Sequence, residues 1–168
     1  MAIQKLVESK VYKDIYNRIP SHLRLDANWG WDKNNTVRWP KPAQKIMQEW
    51  INVSDKLRFL RENLARAANR TTNKQQVNVK LDYLYEIGQE QGWKCAATGA
   101  PLEFTRGGTY WGGKWCNPKS CTIDRIDNSK GYVVGNVHLV TWEANNMRGN
   151  IEWDDFVSLC KQVALYNK

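Results

Sequence analysis

Residues 121–149 read Cys121-Thr-Ile-Asp-Arg-Ile-Asp-Asn-Ser-Lys-Gly-Tyr-Val-Val-Gly-Asn-Val-His-Leu-Val-Thr-Trp-Glu-Ala-Asn-Asn-Met-Arg-Gly149. Two short runs, Thr122–Ile126 and Asn136–Val140, have the β-branched and alternating character of strands. The Asn-, Gly- and Ser-rich stretch between them reads as a long turn. Thr141 can cap a following helix that carries Asn145 and Asn146. In the second run Val137 and Leu139 share an apolar face, while Asn136 and His138 share the other. In the first run Thr122 and Asp124 share one face, and Ile123 and Arg125 share the opposite one. If the runs pair as a hairpin, an Asp, an Asn and a His gather at one end, with Asn145 close by on the helix. Carboxylate and carboxamide oxygens are hard donors, and two of them with waters and a phosphate oxygen suit Mg²⁺. A lone Asp or Asn would be no more than a turn former; the whole arrangement points to a small metal site.

The composition says what such a site would face. The 168 residues carry a net charge of +8 and nine Trp. Residues 1–80 hold 16 Lys/Arg against 7 Asp/Glu, and residues 81–168 hold 9 against 10. The positive field thus lies in the first half and the candidate ligands in the second, which suits a polyanion held by one part and processed by the other. No stretch approaches the roughly 18 apolar residues of a membrane span. No apolar run follows the N-terminal Met-Ala-Ile-Gln-Lys, so no signal peptide is expected. Four scattered cysteines imply reduced thiols and a cytoplasmic location.

Outward from the motif, the clearest helix is 43–69, where Ile46, Trp50, Val53, Leu57, Leu60 and Leu64 form one apolar stripe. Arg58, Arg61, Arg66 and Arg70 lie off it and could follow a nucleic-acid backbone or form a solvated face. A helix over 2–19 ends at Pro20, and residues 21–42 read as a connector holding Trp29, Trp31 and Trp39. Residues 71–76 read as a linker. A helix over about 78–91 has Leu81, Leu84 and Ile87 on one face and ends at Gly92. Gly107–Trp115 reads as a hairpin tip that could pack its own aromatics or stack on bases. The last helix is expected to start near Asn150 as N-cap, with Glu152, Asp154 and Asp155 in its first turn.

Residues 121–149 resemble the HNH nuclease motif, the ββα-metal fold, in the variant common among phage-encoded proteins that has Asp-Arg where others have Asp-His. The resemblance covers about residues 78–166, with the Lys94–Leu102 turn, and not residues 1–77. Its middle Asn and last ligand stand nine apart, as Asn136 and Asn145 do. It implies that Asp124 and Asn145 ligate one divalent ion, Mg²⁺ or Mn²⁺, and that Asn136 ties the long loop. It also implies hydrolysis of DNA phosphodiesters, with the metal stabilising charge on the scissile phosphate and the leaving 3′-oxygen.

Two departures matter. Arg125 stands where the water-activating His of the best-known members lies. An arginine cannot accept a proton near neutral pH but can clamp phosphate. His138 is then the candidate base, if it is not a structural histidine, and Tyr132 a weaker candidate nucleophile. The Cys-x-x-Cys pairs that hold structural Zn²⁺ in many members correspond to Cys95/Thr98 and Thr141/Ala144. Three of four ligands are missing, so no structural Zn²⁺ is expected.

The expected architecture is α+β: an HNH core over 77–168 with a C-terminal helix, behind a basic, mostly helical DNA-positioning arm over 1–76. The expected function is a metal-dependent endonuclease acting on double-stranded DNA, away from membranes and in the host cytoplasm if phage-encoded. One such site cuts one strand, so a monomer, the expected state, nicks. Catalysis is expected from His138, Arg125 and Asn136. Phosphate contacts are expected from Arg58, Arg61, Arg66, Arg70, Lys130 and Arg148. The rival is an HNH-fold DNA-binding module with weak or no catalysis. A third reading is an RNA-processing nuclease or toxin.

Overall fold

The computed structural model describes residues 9–18, 41–70, 76–107, 109–111 and 114–168. The chain is α+β. In order come α1 (Lys10–Arg18), α2 (Lys41–Arg70), α3 (Leu81–Glu90), β1 (Thr109–Trp111), β2 (Lys114–Cys116), β3 (Cys121–Arg125), β4 (Val137–Thr141), α4 (Trp142–Arg148) and α5 (Trp153–Tyr166). The strands pair as two antiparallel ribbons, β1 with β2 and β3 with β4. No helix among the described residues is long and apolar enough to cross a membrane.

Two compact units, Met1–Arg58 and Phe59–Lys168, divide inside α2 rather than at the expected 76/77. The reason is the apolar stripe: Phe59 and Leu60 are core residues of the second unit, with Leu64 packed against them. In the first unit Ile15, Val53 and Leu57 are buried. Arg18 there holds Glu49 through both terminal nitrogens, at 2.8 and 3.1 Å. The expected helix over residues 2–8, the connector over 21–40 with its tryptophans and His22, and the linker over 71–75 lie outside the described residues. So do the side chains of Ile46, Trp50, Arg70 and the β1–β2 tip.

The second unit is built around Phe59, Leu60, Val79, Leu84, Ile87, Cys95, Leu102, Ile123, Val137, Leu139 and Val140. β3 and β4 pair in the register Ile123↔Leu139 and Asp124↔His138. Directly opposed residues share a face. Ile123 and Leu139 therefore enter the core, and Asp124 and His138 stand together on the other side. The open edge of β4 is covered by a side chain. The Gln91 carboxamide donates to the Leu139 carbonyl at 2.8 Å and accepts from the Leu139 N–H at 2.9 Å. With the Ala96 N–H, which donates to the same carbonyl at 3.0 Å, it gives an edge strand partners on its open side.

Helix α4 begins where Thr141 Oγ1 accepts from the Ala144 N–H at 3.4 Å, the cap read from the sequence. The last helix starts at Trp153 with Glu152 as cap, not at Asn150. Residues 149–151 are withheld from it by Arg148. Its backbone carbonyl accepts from Ile151 N–H at 3.1 Å, and its Nη1 donates to the Ile151 carbonyl at 2.7 Å.

Candidate active site

The loop between β3 and β4 is tied from within. Asn136 is buried. Its Oδ1 accepts from the Asp127 N–H at 2.9 Å, and its Nδ2 donates to the carbonyls of Asp127 at 3.1 Å and Gly131 at 2.9 Å. Each of these backbone groups would otherwise need water or another partner. Gly131 runs against the backbone of Gln76, where a Cβ would lie 2.1 Å from the carbonyl oxygen, so only glycine fits. Beside it Asn78 N–H donates to the Tyr132 carbonyl at 2.8 Å. The loop is thus fixed at both its start and its middle.

Asn145 and Arg148, one turn apart on α4, face back onto β3. Asn145 Nδ2 donates to Thr122 Oγ1 at 3.1 Å. Arg148 grips Asp124 as a fork, Nε to Oδ2 and Nη2 to Oδ1, both at 2.9 Å. Its Nη2 also donates to the Arg125 carbonyl at 2.6 Å and to Asn128 Oδ1 at 3.0 Å. Arg148 is 1% exposed. The expectation that it contacts DNA is therefore corrected: its guanidinium is spent on the interior of the site. From the sequence a cation beside the candidate site reads as a surface contact, and nothing local to residue 148 reveals a partner 24 positions away.

Burial alone would push the Asp124 carboxyl upward. Hydrogen bonds from His138 and Arg148, with the charge of Arg148, outweigh it and hold the group below the usual carboxylate range. The two oxygens of Asp124 are fully engaged, since Oδ1 also accepts from the Arg125 N–H at 2.9 Å and Oδ2 lies 3.4 Å from His138 Nε2. The His138 ring packs edge-on against Trp153, with centroids 4.5 Å apart.

A cleft of about 860 Å³ opens over this constellation. Asp124, Arg125, Asn128, Tyr132, Asn145 and Asn146 line one part of it, and Asn63, Arg66, Arg106 and Asn117 another. Of the expected site residues, the cleft gathers Asp124, Arg125, Asn145 and Arg66. Asn136 sits behind it as the loop tie. His138 does not line it, but its Nε2 lies 3.4 Å from Asp124, which does. Arg58, Arg61 and Lys130 do not line it either; Arg58 pairs with Asp55 and Lys130 with Asp127, each at 2.9 Å. Arg125 Nη1 donates to the Asn128 carbonyl at 3.2 Å, and the guanidinium lies over the Tyr132 ring at 5.4 Å. Asn63, Arg106 and Asn117 were not singled out in the sequence. Arg106 is fixed by Glu62 at 2.9 Å and by the Phe59 ring at 4.9 Å. Its irregular segment gives no periodicity to read. Asn63 donates to the Cys121 carbonyl at 2.9 Å, and its position off the α2 stripe is the one signal that could have found it.

The donor chemistry of Asp124 and Asn145 suits a hard divalent ion, but their geometry in this structure does not. Arg148 fills the place of the counter-cation at Asp124, and the Asn145 amide is turned to Thr122. Among the described residues no three His, Cys, Asp or Glu side chains converge as ligands. At the positions that correspond to zinc ligands, Cys95 Sγ lies 3.7 Å from Thr141 Oγ1 and accepts from the Thr141 N–H at 3.3 Å. Burial raises the Cys95 thiol, and hydrogen bonds from Thr98 and Thr141 bring it below its ordinary value. The nearby Cys121 thiol is pushed up to about 12 by burial.

In comparisons with known proteins, no family model, no curated protein and no solved structure matches this chain.

Proposed function

We propose that the protein is a nuclease of the HNH type that hydrolyses DNA phosphodiester bonds and nicks one strand per site. The observation that carries this reading is one cleft shared by Asp124, Arg125 and Asn145 of a strand–strand–helix unit and by Arg66 and Arg106. Three guanidinium groups around one cleft suit a phosphodiester, and a planar fork binds phosphate oxygens in pairs. The asparagines that alternate with them can donate to phosphate or sugar oxygens without adding charge.

In this reading Arg125 neutralises charge developing on the phosphate. His138 is the candidate base, because Arg125 has no proton-accepting state near neutral pH. The cofactor that the resemblance calls for is one divalent ion, Mg²⁺ or Mn²⁺, which Asp124 and Asn145 would hold only with the fork of Arg148 displaced. The partner is double-stranded DNA, engaged by a monomer.

The test is supercoiled plasmid with Mg²⁺ or Mn²⁺, with and without chelator. Conversion to open circle that stops in Asp124→Asn supports the nuclease. The second reading, a DNA-binding module without catalysis, is favoured by the neutralisation of Asp124 by Arg148. Tight duplex binding with no cleavage under either metal would establish it instead.

A further inference from the structure

We propose that Arg148 is the resident counter-cation of Asp124, so that the free protein holds no divalent ion at that carboxylate until the guanidinium is displaced. The inference rests on the nuclease reading only for its biological meaning; the contact itself is independent of it. Arg148 is 1% exposed and makes five hydrogen bonds, two to Asp124 and three to the Arg125 carbonyl, the Ile151 carbonyl and Asn128 Oδ1. A fork with this many partners is a built position, not a surface side chain that has fallen onto an acid. Both carboxylate oxygens already accept two or more hydrogens or face His138. A second cation at Asp124 would have to share the acid with a fixed guanidinium, and like charges at such range disfavour each other strongly.

Arg148 is therefore a positioning residue acting through Asp124. It sets the orientation of the carboxylate in the resting site and competes with any metal for it. Sequence position supports the pairing geometry. Residues 145 and 148 lie three apart on one helix and so share a face, which puts the candidate ligand and the competing cation side by side over β3.

The experiment is a Mn²⁺ titration of the full chain without nucleic acid, with free Mn²⁺ read by electron paramagnetic resonance. Wild type and Asp124→Asn should bind alike, with no site that depends on the carboxylate. Arg148→Met should gain one site, with an affinity about 10-fold or more above any Mn²⁺ binding by wild type, because an adjacent opposite charge biases a carboxylate by about one to three pKa units. That gain should vanish in Asp124→Asn/Arg148→Met. A wild-type site that disappears in Asp124→Asn overturns the proposal, as does a folded Arg148→Met with no gain. If Arg148→Met does not fold, the comparison of wild type with Asp124→Asn decides alone. The plasmid assay reports separately on the nuclease reading, so either idea can fail while the other stands.

Discussion

Removing Arg148 should be among the most destabilising single changes available in the second unit. Arg148→Met keeps most of the volume and deletes a guanidinium that is 1% exposed, leaving the Asp124 side chain, 8% exposed, without its partner. Breaking a buried ion pair from one side costs roughly 3–5 kcal/mol, because the remaining charge stays desolvated. For a unit of about 110 residues this is a fall in Tm of about 14–23 °C, given roughly 2 cal/mol/K of unfolding entropy per residue. Asp124→Asn/Arg148→Met removes the stranded charge, so it should recover about 1–3 kcal/mol of the loss and show non-additivity. The assay is thermal and urea unfolding followed by circular dichroism and tryptophan fluorescence. The pH dependence has a fixed sign. The folded Asp124 carboxyl lies below its unfolded value of about 3.9, so its contribution is fully present above that pH. It is lost as pH falls from there through the folded value. Wild type should therefore lose stability relative to Asp124→Asn as the pH falls below about 4. A loss below about 1 kcal/mol in Arg148→Met, or strict additivity of the pair, would refute the account of a buried, mutually dependent ion pair.

Gly131→Ala should destabilise the β3–β4 loop by about 1–3 kcal/mol, read as a lowered urea midpoint, because the added carbon meets the Gln76 carbonyl. Arg66→Gln should weaken duplex binding at low salt and reduce the slope of log K against log salt by about one, as measured by fluorescence anisotropy. A slope equal to wild type would remove Arg66 from the interface. Thr98→Cys, Thr141→Cys and Ala144→Cys introduced together should complete a four-thiolate site with Cys95 and retain one Zn²⁺ per chain by metal analysis. A protein that folds but purifies without zinc would show that the four positions do not converge.

What could be read from the sequence was what local periodicity encodes. The spacing of Val53, Leu57, Leu60 and Leu64 announced α2, and alternation over 122–126 and 136–140 announced the faces of the hairpin. Thr141 showed the start of α4. What failed to show was long-range pairing. Arg148 and Lys130 look alike beside the motif, yet one is buried on Asp124 and the other exposed on Asp127. Asn150 has the side chain of a helix cap, yet the grip of Arg148 on Ile151 moves the start of α5 to Trp153. The unit boundary was hidden for a related reason. A polar stretch at 71–76 marks a linker in composition, whereas the packing of Phe59 and Leu60 into the core divides the chain earlier, inside an unbroken helix.

The pairing of Asp124 with Arg148 also fixes the charge of the resting cleft. With the acid neutralised from beneath, the remaining fixed charges on its lining are Arg66, Arg106 and Arg125, of which Arg106 is partly offset by Glu62. The fixed charge of the lining is therefore positive on balance. A carboxylate left open would attract a divalent ion in the absence of substrate and would repel a phosphate arriving without one. In the nuclease reading the arrangement does the opposite on both counts: it would favour phosphate and resist free metal. The carboxylate that the fork holds also lies 3.4 Å from the His138 imidazole. Any movement of Arg148 that frees the carboxylate must therefore also change what His138 faces. Asp124 and His138 share one contact, so a variant at position 148 should perturb both together.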